Sequence, residues 1–329
     1  MAASQATSFS LDELLGKSVE SSYERTQTTV VVRGLSVATW RYRSRTATSV
    51  GQTMVGVHGG PAFGHSYILP LLLLCDRGYD VVLYDQAGCG ASALPDPAAP
   101  VPSWLLTVEY YWREELPAVL EAHGLKHAFL YGSSWGTIVG QLFAIADAGR
   151  PEEQRVLRGL ILDGALSDAQ LYIRTQWRDN LSKLPLLTQE RLRLLEAEKA
   201  TSSPCYKAIE SALTSMFTHR LLPPAQCFLD SVASANMSIY IAMQGPSEFA
   251  IGGMLANFKC TEELAVVKAP TLVLRGEYDT MTEECSLAIV NAIPHCMPLV
   301  TIPRAGHCKL CDEPHECARV MGDFLDRLL

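Results

Sequence analysis

The chain has 329 residues, of which 48% are hydrophobic, and its formal net charge is −8. This length is enough for one large α/β domain or two smaller ones. The acidic balance argues against nucleic acid and against an anionic membrane surface as partners, because both require a basic patch.

The first ten residues lack the basic start and the apolar core of a signal peptide. The most apolar short run, residues 68–75, contains Pro70 and is too short to span a bilayer. We therefore expect a cytoplasmic protein without a membrane partner.

The first half of the chain predicts a sheet. Residues 1–27 are polar and predict an N-terminal arm with a short helix at 11–15. Two alternating segments, 28–33 and 36–43, predict an antiparallel hairpin at one sheet edge. Apolar strands then alternate with helical segments, which implies right-handed crossovers and a mainly parallel sheet. The strands are predicted at 53–57, 80–84, 127–131 and 159–162, and one helix at 108–123.

This alternation stops at residues 167–258, where proline-broken helical segments such as 188–199 and 206–217 replace it. It resumes with strands at 271–274 and 298–302 and helices at 283–292 and 314–329. We therefore predict an α/β core domain of residues 28–166 and 259–329. A helical cap domain, residues 167–258, would be inserted into it.

A Gly-x-Ser-x-Gly motif, Gly132-Ser133-Ser134-Trp135-Gly136, follows the strand at 127–131 and precedes a helical run. A strand, a sharp turn and a helix with this motif form a nucleophile elbow, which exposes the central serine to a substrate. Ser134 is then the candidate nucleophile, and the Trp135 N–H is a candidate oxyanion donor. The alternative is a serine- and glycine-rich loop that only ends a strand.

A second glycine-rich loop, residues 58–64, follows the strand at 53–57 and lacks the spacing of a phosphate-binding loop. Its glycines would let backbone N–H groups face a substrate carbonyl, so the Gly60 N–H is the candidate second oxyanion donor. We expect His58 in this loop to have a structural hydrogen-bonding role, and His127 to be incidental.

A serine hydroxyl becomes a good nucleophile only when an oriented base removes its proton. Asp279 follows the strand at 271–274 and His307 follows the strand at 298–302, so both would lie at the same sheet edge as Ser134. The order Ser, Asp, His is that of the α/β-hydrolase topology. Taken singly, Asp279 could be a turn or capping residue and His307 a surface loop residue.

The ten cysteines are scattered, as expected of reduced thiols in a chain that is neither small nor evidently secreted. Cys308 and Cys311, with His307, His315 and Cys317 nearby, resemble the beginning of a zinc site. A zinc site normally needs a second pair at matching spacing, and none follows. We expect no metal and no organic cofactor.

The sequence resembles the proline iminopeptidase family of α/β-hydrolases, serine aminopeptidases that release an N-terminal residue from short peptides. The resemblance covers most of the chain from about residue 30. Its motifs are the runs 58–61, 85–90, 132–136, 245–249 and 276–279, which read His-Gly-Gly-Pro, Asp-Gln-Ala-Gly-Cys-Gly, Gly-Ser-Ser-Trp-Gly, Gly-Pro-Ser-Glu-Phe and Gly-Glu-Tyr-Asp.

This resemblance implies an α/β-hydrolase fold, with a mainly parallel central sheet flanked by helices and an inserted helical cap. It implies that Ser134 is the nucleophile, His307 the base and Asp279 its orienting acid. It also implies that Glu248 binds the free α-ammonium group of the substrate. The alternative for Glu248 is a solvated residue on a helix.

Three positions depart from the family pattern. Thr280 stands where a second glutamate often follows the catalytic aspartate, Ala62 where a glycine is usual, and Ala87 where an arginine is usual. These changes keep open an ester or a small-molecule amide as the substrate instead of a short peptide. A non-catalytic binding protein with the same fold is a third reading. Dehalogenase and epoxide hydrolase chemistry is disfavoured because both use an aspartate at the elbow. Oligomeric state is left open.

Overall fold

The computed structural model describes residues 8–329 and is organised around an eight-stranded sheet in the order β1-β2-β4-β3-β5-β6-β7-β8. The pairs β1–β2 and β2–β4 are antiparallel, and all other pairs are parallel. The strands are β1 Tyr23–Val32, β2 Leu35–Ser44, β3 Thr53–Val57, β4 Asp80–Tyr84, β5 Ala128–Ser133, β6 Leu157–Asp163, β7 Thr271–Gly276 and β8 Val300–Ile302.

The central strands are buried on both faces, since helices cover both sides of the sheet. Every residue of β3, β4 and β5 is buried, which is why these segments are continuous apolar runs without alternation. By contrast, most of β1 is exposed, as expected for a strand at the sheet edge. The hairpin that the sequence predicts at one edge is therefore confirmed.

Thirteen α-helices occur within residues 8–329, and none of them has the length and apolar character needed to cross a membrane. They are α1 Leu11–Leu15, α2 Val19–Ser22, α3 Val108–Tyr110, α4 Leu116–Ala122, α5 Trp135–Ala148, α6 Ala169–Thr175, α7 Leu186–Ala197, α8 Pro204–Leu213, α9 Gln226–Ala233, α10 Met237–Met243, α11 Glu283–Ala292, α12 Lys309–Asp312 and α13 Pro314–Asp326.

Shorter helical segments complete these elements. The 3₁₀ segments are His65–Arg77, Gly90–Ser92, Ser103–Leu106, Glu152–Gln154, Leu181–Lys183, Met254–Asn257 and Glu262–Val266. The π-helical turns are Tyr111–Glu115, Gln176–Asn180 and Thr214–Thr218. The first π-helical turn joins α3 to α4, so that residues 108–122 form one continuous helix, close to the predicted range.

The N-terminal part of the chain differs from the expectation. Helix α1 lies where it was predicted, and Ser10 caps it with a reciprocal bond to Glu13. Strand β1, however, begins at Tyr23 and not at residue 28, because the polar segment after Tyr23 pairs with β2 at the exposed edge. Residues 1–7 of the predicted arm lie outside the described part of the chain.

The segment between β6 and β7, residues 167–258, is called the insertion here. Throughout this fully described range it contains helices and no strand. Several of its apolar side chains form a small cluster separate from the two clusters on the faces of the sheet; its members include Leu181, Leu192, Leu213, Phe217 and Phe249. A division into a cap domain and a core domain stays a prediction.

The parallel arrangement brings the carboxyl ends of β3, β5, β6, β7 and β8 to one edge of the sheet. The loop 58–64, Ser134, Asp279 and His307 each follow one of these strands. In an open parallel sheet, this edge is where ligands bind.

Candidate active site

Ser134 sits in a strained turn between β5 and α5, with φ 53° and ψ −121°. Both glycines of its motif are required because backbone carbonyl oxygens lie too close to them for a side chain to fit. A Cβ atom at Gly132 would lie 2.4 Å from the carbonyl oxygen of Gly136, and a Cβ atom at Gly136 would lie 2.2 Å from that of Val57. The turn can therefore form only with glycine at both positions, as the motif predicts.

Hydrogen bonds fix this turn to its neighbours. The Ser134 N–H donates to the carbonyl oxygen of Asp163 at 2.9 Å, and the Thr137 hydroxyl donates to the Ser134 carbonyl at 2.6 Å. Ser134 is 8% exposed. Ser134 is thus held in a hydrogen-bonded turn and is largely shielded from solvent.

Asp279 and His307 are directly paired. The Nδ1–H of His307 donates to Oδ1 of Asp279 at 2.6 Å, and both side chains are buried. Asp279 also accepts the N–H groups of Gly276 at 3.1 Å and Met281 at 2.9 Å. These bonds orient the carboxylate, which in turn fixes the imidazole ring and its tautomer.

Opposing effects set the charges of this pair. Burial raises the pKa of Asp279, but the Lys309 ammonium and His307 outweigh it and hold that pKa below its ordinary value. Burial lowers the pKa of His307, but the Asp279 carboxylate outweighs it and leaves that pKa raised. The arrangement therefore stabilises an imidazolium, which is the state a general base reaches after accepting a proton.

The Nε2 atom of His307 is buried and has no hydrogen-bond partner within residues 8–329. His307 nevertheless lies close to the elbow. A Cβ atom at Gly164 would be 2.7 Å from the Cε1 atom of His307, and the carbonyl oxygen of Asp163, the residue before Gly164, accepts the Ser134 N–H. The structure thus pairs His307 with Asp279 directly. It brings Ser134 to the same corner of the sheet without a hydrogen bond to the imidazole.

A lysine that sequence reasoning missed lies behind this pair. Lys309 is fully buried, and its Nζ atom lies 2.5 Å from Oδ1 of Asp163 and 3.0 Å from Oδ2 of Asp279. It also donates to the carbonyl oxygen of His307 at 2.9 Å. The available signal was the position of Asp163, which ends an apolar strand at the same sheet edge as the predicted triad.

One predicted oxyanion donor, Trp135, lies within the elbow, and the other, Gly60, lies in the neighbouring loop 58–64. Trp135 begins α5, and Gly60 is next to Gly59, where a Cβ atom would lie 2.8 Å from the Cβ of Ser134. Gln86 joins the two segments, because its side chain accepts the Trp135 Nε1–H at 2.9 Å and donates to the His58 carbonyl at 2.8 Å. The start of α5 and the loop 58–64, which carry the predicted donors, are therefore linked through Gln86.

His58 has the structural role that the sequence indicated. Its Nε2 atom accepts the Gln86 backbone N–H at 3.0 Å, so Nδ1 carries the proton and donates to the Gly59 carbonyl at 2.8 Å. Burial lowers the pKa of His58 to about 4, which keeps the ring neutral and this pattern intact. His127 lies elsewhere, at an exposed position near Arg155.

Glu248 comes from the insertion and reaches into the same site. Its Oε1 atom lies 3.9 Å from Nε2 of His307, and its side chain is 20% exposed. The Thr280 hydroxyl donates to Oε1 at 3.2 Å, and the Tyr172 hydroxyl donates to the Glu248 carbonyl at 2.7 Å. Burial raises the pKa of Glu248, and the His307 imidazole opposes that rise.

The other two departures from the family pattern also lie near this edge. Ala62 is buried with φ 62°, a conformation that costs a non-glycine residue about 1 kcal/mol or more. Ala87 is fully buried, and its N–H donates to the carboxylate of Glu115 at 2.7 Å. Burial raises the pKa of Glu115 to about 8, so this carboxyl group is mostly protonated at neutral pH.

The backbone of the insertion holds the histidine loop. The N–H groups of His307 and Cys308 donate to the carbonyl oxygens of Phe217 and Thr218 at 2.8 and 2.7 Å. In addition, the carboxylate of Asp312 accepts the N–H of Arg220 at 2.8 Å. The position of His307 therefore depends on the insertion as well as on β8.

The tail cysteines do not surround a common centre. The Cys311 thiol donates to the Tyr67 carbonyl at 3.3 Å, and the Cys317 thiol donates to the Lys309 carbonyl at 3.4 Å. Within residues 8–329 no group of three or more His, Cys, Asp or Glu side chains is arranged to hold a metal ion.

Comparisons with known proteins extend these observations. A family model described as the alpha/beta hydrolase family matches residues 54–320. A proline iminopeptidase of Heyndrickxia coagulans is 31% identical over 280 residues, which cover 84% of this chain and 92% of the relative. A proline iminopeptidase of Thermoplasma volcanium is 26% identical over 278 residues, covering 83% and 88%.

The solved structure of a proline iminopeptidase from Mycobacterium smegmatis superposes with a TM-score of 0.82 at 28% identity, covering 92% of this chain and 98% of that one. The predicted fold class is therefore confirmed: a mainly parallel sheet with flanking helices, shared along most of the chain with solved α/β-hydrolases.

Proposed function

This chain belongs to the proline iminopeptidase family of α/β-hydrolases, and we propose that it is a serine aminopeptidase. It would release an N-terminal residue, proline or another small or apolar one, from short peptides or amides. The observation that carries this proposal is the position of Glu248, whose carboxylate lies 3.9 Å from the unpartnered Nε2 atom of His307.

In the proposed mechanism Ser134 is the nucleophile and His307 the general base. His307 Nε2 accepts the hydroxyl proton as Oγ attacks the substrate carbonyl carbon, and the N–H groups of Gly60 and Trp135 bind the resulting oxyanion. The imidazolium then gives its proton to the leaving amine, and an acyl-enzyme forms. Water, activated by His307 in the same way, releases the amino acid. Asp279 orients the ring throughout.

Substrate geometry explains why the first residue would be removed. Standard bond lengths place the first carbonyl carbon about 2.5 Å from the α-nitrogen. An ammonium group paired with Glu248 at about 2.8 Å therefore keeps that carbon within roughly 5 Å of the carboxylate. The carbonyl of the second residue lies about 3.8 Å farther along the chain. Only the first carbonyl would reach the serine beside His307.

A non-peptide ester or amide is the second candidate substrate. Thr280 is fully buried and supplies a hydroxyl to Glu248 where the family pattern often has another carboxylate. A single carboxylate binds an ammonium group less strongly than two carboxylates do. This difference favours a substrate whose binding depends less on a free amine.

A fluorophosphonate probe and a substrate panel test the proposal. We expect the probe to label the wild type at Ser134 and to leave Ser134→Ala unlabelled. We expect proline and alanine arylamides to be hydrolysed with a higher kcat/KM than simple esters. Faster turnover of esters would favour the second candidate. A wild-type protein that is neither labelled nor active on any of these substrates would refute the proposal that this protein is a serine hydrolase.

A further inference from the structure

Lys309 is a buried cation with two anionic partners. Its Nζ atom lies 2.5 Å from Oδ1 of Asp163 and 3.0 Å from Oδ2 of Asp279, and none of its surface is exposed. The second oxygen of Asp163 accepts the hydroxyl of Tyr131. The opposite oxygen of Asp279, Oδ1, accepts His307 Nδ1–H. The ammonium group therefore lies directly behind the acid of the proposed triad.

We propose that Lys309 is a positioning residue: with Asp163 it keeps Asp279 charged and fixed behind His307, and so sets the pH range over which His307 works as a base. This inference rests on the proposed triad and adds two residues to it. Lys309 does not touch the substrate or the reacting atoms, so it acts only through Asp279 and His307.

The charges of the site explain the need for this cation. Lys309, Asp163 and Asp279 carry a net charge of −1 together, the same as a triad with an isolated aspartate. Without Lys309, the two carboxylates would face each other in a buried space, where like charges repel strongly and one group takes up a proton. A proton shared by Asp163 and Asp279 would weaken the acceptor that holds the His307 ring.

The groups that face this cluster come from several elements. They are Tyr131 from β5, Asp163 from β6, Asp279 after β7, His307 and Cys308 after β8, Cys317 from α13 and Glu248 from the insertion. Burial lowers the pKa of Lys309, but Asp163 and Asp279 outweigh it and leave that pKa raised. The cation is therefore retained across the range in which His307 titrates.

Each substitution shifts the acid limb of the pH profile, which is the fall in kcat/KM at low pH, in a defined direction. Lys309→Met removes the positive charge between Asp163 and Asp279, so these two carboxylates share a proton and less negative charge faces His307. The imidazolium becomes harder to form, and the acid limb moves to lower pH. Asp163→Asn removes a negative charge and moves the limb to lower pH. The double variant restores the net charge of −1 and should bring the limb back toward that of the wild type.

The test measures kcat/KM against pH for the wild type, both single variants and the double variant, with thermal unfolding as a check on folding. We expect Lys309→Met to lose about tenfold or more at pH 7, and the double variant to recover at least half of that loss on a logarithmic scale. Lys207→Met is the matched control, because Lys207 is an exposed lysine that pairs with Glu210, and its limb should not move.

Acid limbs that stay at the wild-type pH in both single variants would overturn the inference. So would a double variant no more active than Lys309→Met. If Lys309→Met does not fold, the downward shift in Asp163→Asn decides the question by itself. Labelling of wild-type Ser134 by the fluorophosphonate separates the two proposals: a labelled wild type with unshifted variants refutes the role of Lys309 alone, and an unlabelled wild type refutes the triad.

Discussion

Replacement of Glu248 by glutamine is the most direct test of the proposal that this residue selects substrates with a free amine. Glutamine keeps the shape of the side chain, and its carbonyl oxygen can still accept the Thr280 hydroxyl, which Glu248 accepts at 3.2 Å. The substitution therefore removes the negative charge with little change in packing. Any loss in kcat/KM then reports the interaction between the carboxylate and the substrate ammonium group.

The structure sets the expected size of this loss. Two unit charges about 4 Å apart attract each other by about 4 kcal/mol at the effective dielectric constant found near protein surfaces. The Glu248 side chain is 20% exposed, so water screens part of this attraction, and we expect about 3 kcal/mol. That free energy corresponds to roughly a hundredfold decrease in kcat/KM.

The assay compares a free alanine arylamide with its N-acetylated form. The wild type should prefer the free amine by about two decades, and Glu248→Gln should reduce this preference to within a few-fold while changing the N-acetylated substrate little. Glu190→Gln, which changes an exposed glutamate on α7, is the matched control and should keep the wild-type ratio. A wild type that cleaves both substrates equally, or a variant with an unchanged ratio, would refute this reasoning.

Two further predictions concern the elbow and a buried carboxyl group. Gly136→Ala should lower the rate of fluorophosphonate labelling more than about a hundredfold, because its Cβ atom would lie 2.2 Å from the Val57 carbonyl oxygen. Gly140→Ala on the same helix is the control: its Cβ atom would have no neighbour closer than 3.5 Å, so it should be labelled at the wild-type rate. Equal labelling rates in the two variants would contradict the need for a strained turn. Glu115→Gln should stabilise the protein increasingly as the pH rises from 5 to 8. The folded state keeps the Glu115 proton up to about pH 8 while the unfolded state loses it near 4.5, so the contribution of this group to wild-type stability falls between pH 5 and pH 8 by roughly 3.5 kcal/mol. Chemical denaturation at pH 5 and pH 8 measures this change, and a difference between variant and wild type that stays constant with pH would contradict it.

The sequence predicted the residues of the site through local patterns. Ser134, Asp279 and His307 each follow an apolar strand, and parallel strands bring their carboxyl ends to one edge whatever the distance along the chain. The elbow glycines carried a second signal, since only their small size allows Gly132 to approach the Gly136 carbonyl and Gly136 to approach the Val57 carbonyl. Their roles in catalysis stay predictions until the labelling experiment is done.

Other features could not be predicted because they depend on contacts between distant parts of the chain. The end of β6 placed Asp163 at the same sheet edge, but the residues around Lys309 do not show that its side chain turns inward to pair with Asp163. Likewise, Glu115 lies in an ordinary helical pattern, and its burial depends on the tyrosines that surround it. The early start of β1 was missed because an edge strand needs no apolar residues on its exposed face.

The hydrogen bonds from His307 and Cys308 to Phe217 and Thr218 have a consequence for engineering. A designer who deleted residues 167–258 to open the site would also remove the acceptors that hold His307, the proposed base. A replacement segment from another hydrolase would have to provide two equivalent carbonyl groups to keep His307 in place.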